Sequence, residues 1–267
     1  MSALLGDIGT IEWCRRTRGI LGRGERARFM AAVALRTAQA LPRVIGSRSG
    51  RSSSGPDPSQ LTPPDSPFAR EVVEACAELG PAVIEHSYRS YLFARALGDA
   101  DGVECDEEAL FAATMFHDHA FPEIEQLTDR CFTLAGAEAA ESFLESSPLS
   151  ASQRHDVLDA ICLHISPESP RERGTTQYLA HDGIALDVIG LRAWELDRPG
   201  VRRTFELHPR HGFNETAETL LKPHGRRVRG CRTAALFATG FGQAMKLSPW
   251  APVEAADRSK NLAQQVP

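Results

Sequence analysis

Apolar residues recur at helical spacing along most of this chain, and no stretch alternates long enough to make a strand. After the start signal Asp65-Ser66-Pro67, Val72, Val73, Cys76 and Leu79 mark one helix, which Gly80-Pro81 breaks. Val83, Ile84, Tyr88, Tyr91, Leu92 and Leu97 mark a second, predicted to end at Gly98. A third runs from Asp106 to Asp118; Asp106 suits an N-cap, and Glu107-Glu108 suit the first-turn dipole. Further helices are expected over 135–145, 151–163, 176–194, 215–221 and 233–245. Upstream, Phe29, Val33, Leu35 and Leu41 mark an amphipathic helix over 25–41. Residues 46–67 are rich in Ser, Gly, Pro and Arg and read as a flexible loop or linker. The pattern predicts an all-α fold in three parts: an N-terminal helix and linker over 1–64, a helical domain over 65–247, and a frayed tail over 248–267.

Composition narrows the options. Hydrophobic residues make up 42% of the 267 positions, enough for a packed core. The net charge of −5 gives no basic field for nucleic acid, so none is expected as a partner. No apolar run has membrane-spanning length, and the first residues lack the basic and apolar regions of a secretory signal. The six cysteines are scattered without a CxxC pair, which suits reduced thiols in a cytoplasmic protein.

The candidate chemistry lies in Phe116-His117-Asp118-His119-Ala120, at the polar end of the apolar run 110–116. Burying a His-Asp pair is costly unless something satisfies it, and a metal ion is one way. His86 lies 31 residues upstream of His117, and Asp187 lies 69 residues downstream of Asp118. A lone mid-helix histidine is more often structural than a ligand. Asp187 sits among Ile184, Leu186, Val188 and Ile189, where a carboxylate needs a cation, a donor cluster or a metal. Two imidazoles and two carboxylates together suit one divalent ion such as Zn, Fe or Mn, with open positions for water. His155 and His164 are separated by about 900° of helical rotation, on opposite sides. His181-Asp182 precedes Asp187 by six residues, or about 240° around the helix, and reads as a decoy.

These residues resemble the HD-domain superfamily of metal-dependent hydrolases, and more specifically its cyanamide-hydratase-like branch. The resemblance rests on His86-Ser87-Tyr88-Arg89-Ser90-Tyr91, Phe116-His117-Asp118, residues 132–140, Cys162-Leu163-His164, residues 185–190 and residues 208–213, in that order. It implies an all-α HD-domain bundle with an N-terminal helical extension. It implies His86, His117, Asp118 and Asp187 as ligands of one metal ion, with Asp118 and His164 as catalytic groups. It also places Arg89, Thr133 and Phe213 at the substrate, Arg89 and Tyr91 being further expected to orient ligands or pack helices. Two departures stand out. His119-Ala120 replaces an apolar residue and a glycine, and Thr133 holds a position where that branch often has Glu.

The expected activity is hydrolysis or hydration of a small molecule, with metal-bound hydroxide attacking a nitrile-like, amidine or other C–N carbon. The alternative is phosphohydrolysis of a nucleotide or phosphate ester, for which Arg89, Arg130 and Arg210 are the candidate cations. A di-iron oxygenase would need a ligand at Phe121, which has none to offer. A degenerate binding module would need to have lost ligands that this chain retains. The small residues Ala135-Gly136-Ala137 suit either a tight pocket or close helix packing, and the N-terminal helix is left to cover the domain or to form a homodimer contact.

Overall fold

Among the described residues, 2–47 and 54–254 of the computed structural model, there are thirteen α-helices and no strand. Two short helices, α1 (Ser2–Leu5) and α2 (Ile11–Thr17), precede the long α3 (Arg23–Ser47). Then follow α4 (Pro67–Ala75), α5 (Pro81–Asp101), α6 (Glu107–Phe116), α7 (Phe132–Leu144), α8 (Ala151–Leu163) and α9 (Thr175–Ile189). The chain closes with α10 (Arg198–Leu207), α11 (Phe213–Arg227), α12 (Arg232–Ala238) and α13 (Phe241–Lys246). No helix among these residues is long and apolar enough to cross a membrane.

The pair α5–α9 forms the spine, and α6 and α8 pack around it. Close approach depends on Gly183 of α9: a Cβ there would lie 2.4 Å from the carbonyl oxygen of Ser90 and 2.7 Å from the amide nitrogen of Ala94. This contact brings the α5 face carrying His86 against the α9 face carrying Asp187. Gly98, expected to end α5, instead packs in its interior against Leu179, and the helix runs on to a left-handed Gly102 at φ 62°. The predicted helix over 233–245 is two helices, separated at Gly240 with φ 93°.

The N-terminal part is integral to the core. Ile11 and Trp13 are fully buried, the Ile11 amide donates to Asp159 Oδ1 of α8 at 2.8 Å, and the Arg232 guanidinium lies 5.6 Å from the Trp13 ring centroid. α3 packs against α12. The flexible linker expected before residue 65 is, over 54–64, a docked segment. Asp57 caps the turn Pro58–Gln60, Pro58 is buried, and the Asp197 amide donates to Pro56 O at 2.9 Å. Residues 48–53 lie outside the described residues. The tail is also anchored at its start: Trp250 Nε1 donates to Leu186 O at 2.8 Å, and Glu254 pairs with Arg210 at 2.9 Å. The remainder, 255–267, lies outside the described residues.

Candidate metal centre

The site is assembled at helix ends and one helix middle. α6 ends at Phe116, leaving carbonyls without intrahelical donors, and His117 at its C-cap turns back so that Nδ1 donates to Thr114 O at 2.7 Å. α8 ends the same way: His164 Nδ1 donates to Ile161 O at 2.7 Å. Both histidines therefore present Nε2 to the interior. His86, from the middle of α5, meets the first of them; its Nε2 lies 3.0 Å from His117 Nε2. Asp118 Oδ2 is 3.3 Å from His117 Nε2, and Asp118 Oδ1 is 3.8 Å from His164 Nε2. His86, His117 and Asp118 each offer a ligand atom within 4.8 Å of the others, and all three are buried.

Hydrogen-bond partners select the tautomers. Asp187 Oδ2 accepts from His86 Nδ1 at 2.6 Å, so His86 Nε2 carries a lone pair. His117 gives Nδ1–H to a carbonyl, so its contact with that lone pair requires a proton on Nε2 as well. His117 is then an imidazolium beside the Asp118 carboxylate. The electrostatics agree: burial works against the His117 charge, but Asp118 outweighs it and raises the histidine above its usual range. For Asp118, burial raises the carboxyl, but His117 outweighs it and holds the group below the usual carboxylate range. Burial pulls His86 down to about 4 and His164 down to about 3.

Two imidazole Nε2 atoms and a carboxylate thus converge within 4.8 Å of one another, a donor set that fits a divalent metal ion once His117 gives up its Nε2 proton. Asp187, expected as the fourth ligand, is turned elsewhere. Arg89 grips it from two sides, Nε on Oδ1 at 2.8 Å and a terminal nitrogen on Oδ2 at 2.9 Å, while Arg210 reaches Oδ1 at 2.8 Å and the Asp187 carbonyl at 2.9 Å. Burial raises the Asp187 carboxyl, but the guanidiniums of Arg210 and Arg89 hold it far below its ordinary value.

The expected substrate residues separate. Phe213 lines the cavity above the trio and stacks on His86, ring centroids 3.7 Å apart. Arg89 does not line the cavity; its remaining donors go to the carbonyls of His208 and Pro209 at 3.1 and 2.8 Å. Thr133, expected at the substrate, lies inside α7 away from the cavity wall, where Oγ1 accepts from the buried Arg232 at 2.7 Å. Gly136 faces the backbone of Phe116, His117 and Ala120, so the small residues serve helix packing rather than pocket shape. His119 is outside the cavity wall, against Phe116. His155 is exposed on α8, and His181 is held by Asp182 and the Ser166 carbonyl, both at 2.8 Å. Arg210, expected as a cation for phosphate, is instead a clamp on Asp187, a role that depends on the packing of residue 210 against α9 and not on the local pattern His208-Pro209-Arg210.

The cavity holds about 500 Å³ and has His86, His117, Asp118 and His164 in its wall. Imidazole and carboxylate donors of an all-helical domain thus converge on one cavity in a set that could hold a divalent ion. Residues 83–197 match the family model of the HD domain, a segment that contains His86, His117, Asp118, His164 and Asp187. The match supports an HD-domain assignment for that segment, and with it a hydrolase in general terms. No curated protein matches this chain.

Proposed function

We propose that the protein is a metal-dependent hydrolase or hydratase of a small molecule, acting at an electrophilic carbon bonded to nitrogen. The observation that carries this reading is the 3.0 Å contact between His86 Nε2 and His117 Nε2, with Asp118 beside it in the wall of a cavity of about 500 Å³. His86, His117 and Asp118 would hold one divalent ion, which when bound supplies Lewis acidity and lowers the pKa of water. Asp187 fixes the tautomer of His86, so that Nε2 remains a donor to the ion. His164 has its Nδ1–H committed to Ile161, which leaves Nε2 as an acceptor facing the cavity. Its part is to take a proton from attacking water and then to pass that proton to the departing or newly formed nitrogen. Asp118 Oδ1, 3.8 Å from His164 Nε2, steadies the imidazolium while it holds the proton. Phe132 and Phe213 pack on His164 and His86 and exclude bulk water.

The C–N preference rests on the likeness to the cyanamide-hydratase-like branch. Phosphoryl transfer, the commoner chemistry of HD domains, wants cations at the substrate. Arg89 and Arg210 are committed to Asp187, and Arg130 pairs with Glu138 at 2.8 Å on the surface. A reducing cytoplasmic setting fits six cysteines that are all free. The test is elemental analysis of the purified protein beside His117→Ala and Asp118→Ala, followed by turnover assays on nitriles, amidines and phosphate esters. One equivalent of Zn, Fe or Mn, lost in both variants, with metal-dependent release of amide or ammonia supports the reading. No metal uptake under any loading condition refutes it, and turnover of phosphate esters alone replaces it with phosphohydrolysis.

A further inference from the structure

We infer that the substrate is an elongated apolar molecule bearing a carboxylate, and that Arg36 is the residue that reads this carboxylate. The inference deepens the hydrolytic reading of the same site and rests on it for the reacting end only. Beyond the metal-binding groups, the cavity wall is built chiefly from side chains such as Ile184, Val188, Leu221, Leu236, Phe237 and Met245. A volume of about 500 Å³ with such a wall is far more than a cyanamide-sized molecule fills, and it favours a body with little hydrogen-bonding capacity. A nucleotide would leave its sugar and base polar groups unpaired there, at a cost for each.

Polar groups in a mostly apolar pocket set orientation. Among the described residues, Arg36 is the only lysine or arginine in the wall, and Asp118 the only acid. One face of α3, Val33, Arg36, Thr37 and Ala40, forms this side of the cavity. α3 packs on α12, whereas the metal-binding residues belong to α5 and the end of α6. The cation and the donor trio are thus carried by different walls. The Arg36 Nε is buried without a hydrogen-bond partner, and Arg36 takes part in none of the ion pairs among the described residues. A guanidinium with an idle Nε matches the two oxygens of a carboxylate; a phosphate dianion would call for more positive charge than one arginine supplies. The substrate then lies with its carboxylate on α3 and its electrophilic carbon at the trio.

The probes are decanoate, decanamide and adenosine 5′-monophosphate, each below its aggregation limit, titrated calorimetrically into the full chain stripped of metal. The same titrations go into Arg36→Gln and Ala217→Trp. Arg36 is half-exposed, so its variant keeps the fold, which circular dichroism checks. Ala217 is a cavity-wall position, where a tryptophan takes up the space. Decanoate is expected to bind more tightly than decanamide by about tenfold. Arg36→Gln should erase that preference while leaving decanamide binding unchanged, and Ala217→Trp should abolish both. Three results would overturn the inference: no binding of decanoate to the folded chain, an unchanged preference in Arg36→Gln, or tighter binding of the nucleotide. Because these titrations need no metal, they are independent of the hydrolytic reading. Decanoate binding with no metal uptake would sink the hydrolase and leave this pocket assignment, and metal uptake with no decanoate binding would do the reverse.

Discussion

Asp187 meets His86 at Nδ1, 2.6 Å away, on the side of the ring that faces away from His117. The carboxylate would therefore act on a bound metal through the imidazole. Removing its charge leaves the trio intact but frees His86 to take the wrong tautomer. Asp187→Asn is expected to weaken zinc binding by about 10–100-fold, as loss of such an outer partner does. His117→Ala, which removes a donor, should reduce binding to background. Zinc competition with a chromophoric chelator separates the two; equal, complete loss in both would make Asp187 a direct ligand.

The proton between His86 and His117 must leave when a metal arrives. His117 is raised above the usual histidine range, through Asp118 and against its burial, so the metal-free centre keeps this proton to higher pH than an ordinary histidine would. Metal uptake at pH 7 should release about one proton. Affinity should rise with pH until His117 is deprotonated in the metal-free form, and then level off. Calorimetry in buffers of differing ionisation enthalpy reads the proton count, and a count of zero would contradict the imidazolium derived from the geometry.

Much of this centre was legible in the sequence because polar residues stand out in or at the ends of helices that are apolar on nearly every face. His86, His117, Asp118 and Asp187 fall in or at the ends of α5, α6 and α9, whose existence the apolar spacing announces. What each side chain faces was not legible. Arg89 follows His86 by three residues and shares its face, but only the α5–α9 packing shows that its fork closes on Asp187 rather than on a substrate. α1 and α2 escaped notice because helices of four and seven residues hold too few positions to show a period. α10 escaped because Arg198-Pro199-Gly200 reads as a loop, though Asp197 caps it and proline suits a first turn. The role of α3 as a cavity wall depends on long-range packing that no local pattern encodes.

Gly183 sets the distance across which His86 and Asp187 meet. A methyl group there would press on the Ser90 carbonyl at 2.4 Å and the Ala94 amide at 2.7 Å, both backbone atoms on the facing helix. Neither can swing aside as a side chain would. Gly183→Ala should cost on the order of 1–3 kcal/mol from overpacking, despite the better helix propensity of alanine. It should also weaken metal binding, because α5 and α9 carry opposite halves of the His86–Asp187 contact. Urea unfolding with zinc competition on the same sample checks both; unchanged stability would mean that the helices separate freely.

Acid should undo the metal-free fold over a defined range. Burial pulls His86 down to about 4 and His164 to about 3, against an ordinary value of 6.5. Between pH 6.5 and about 4 the unfolded chain binds protons that the folded chain refuses, so stability falls as pH falls through this window. His86 alone contributes roughly 3 kcal/mol of that loss by pH 4. His117 has the opposite sign: its raised value favours the folded state below 6.5, and that support is lost only as pH rises through the raised value. Below 6.5 it is charged in both states and adds no slope, leaving His86, His164 and His119, which burial also lowers, to set the acid limb. His164→Gln removes one of them while keeping a polar side chain of similar reach. The slope of unfolding free energy against pH between 6 and 5 should then fall by up to the equivalent of one proton, read from urea midpoints at each pH. A slope identical to that of the unsubstituted chain would show that His164 takes up its proton in the folded state as readily as in the unfolded one, and would remove the neutral acceptor on which the water-activating role depends.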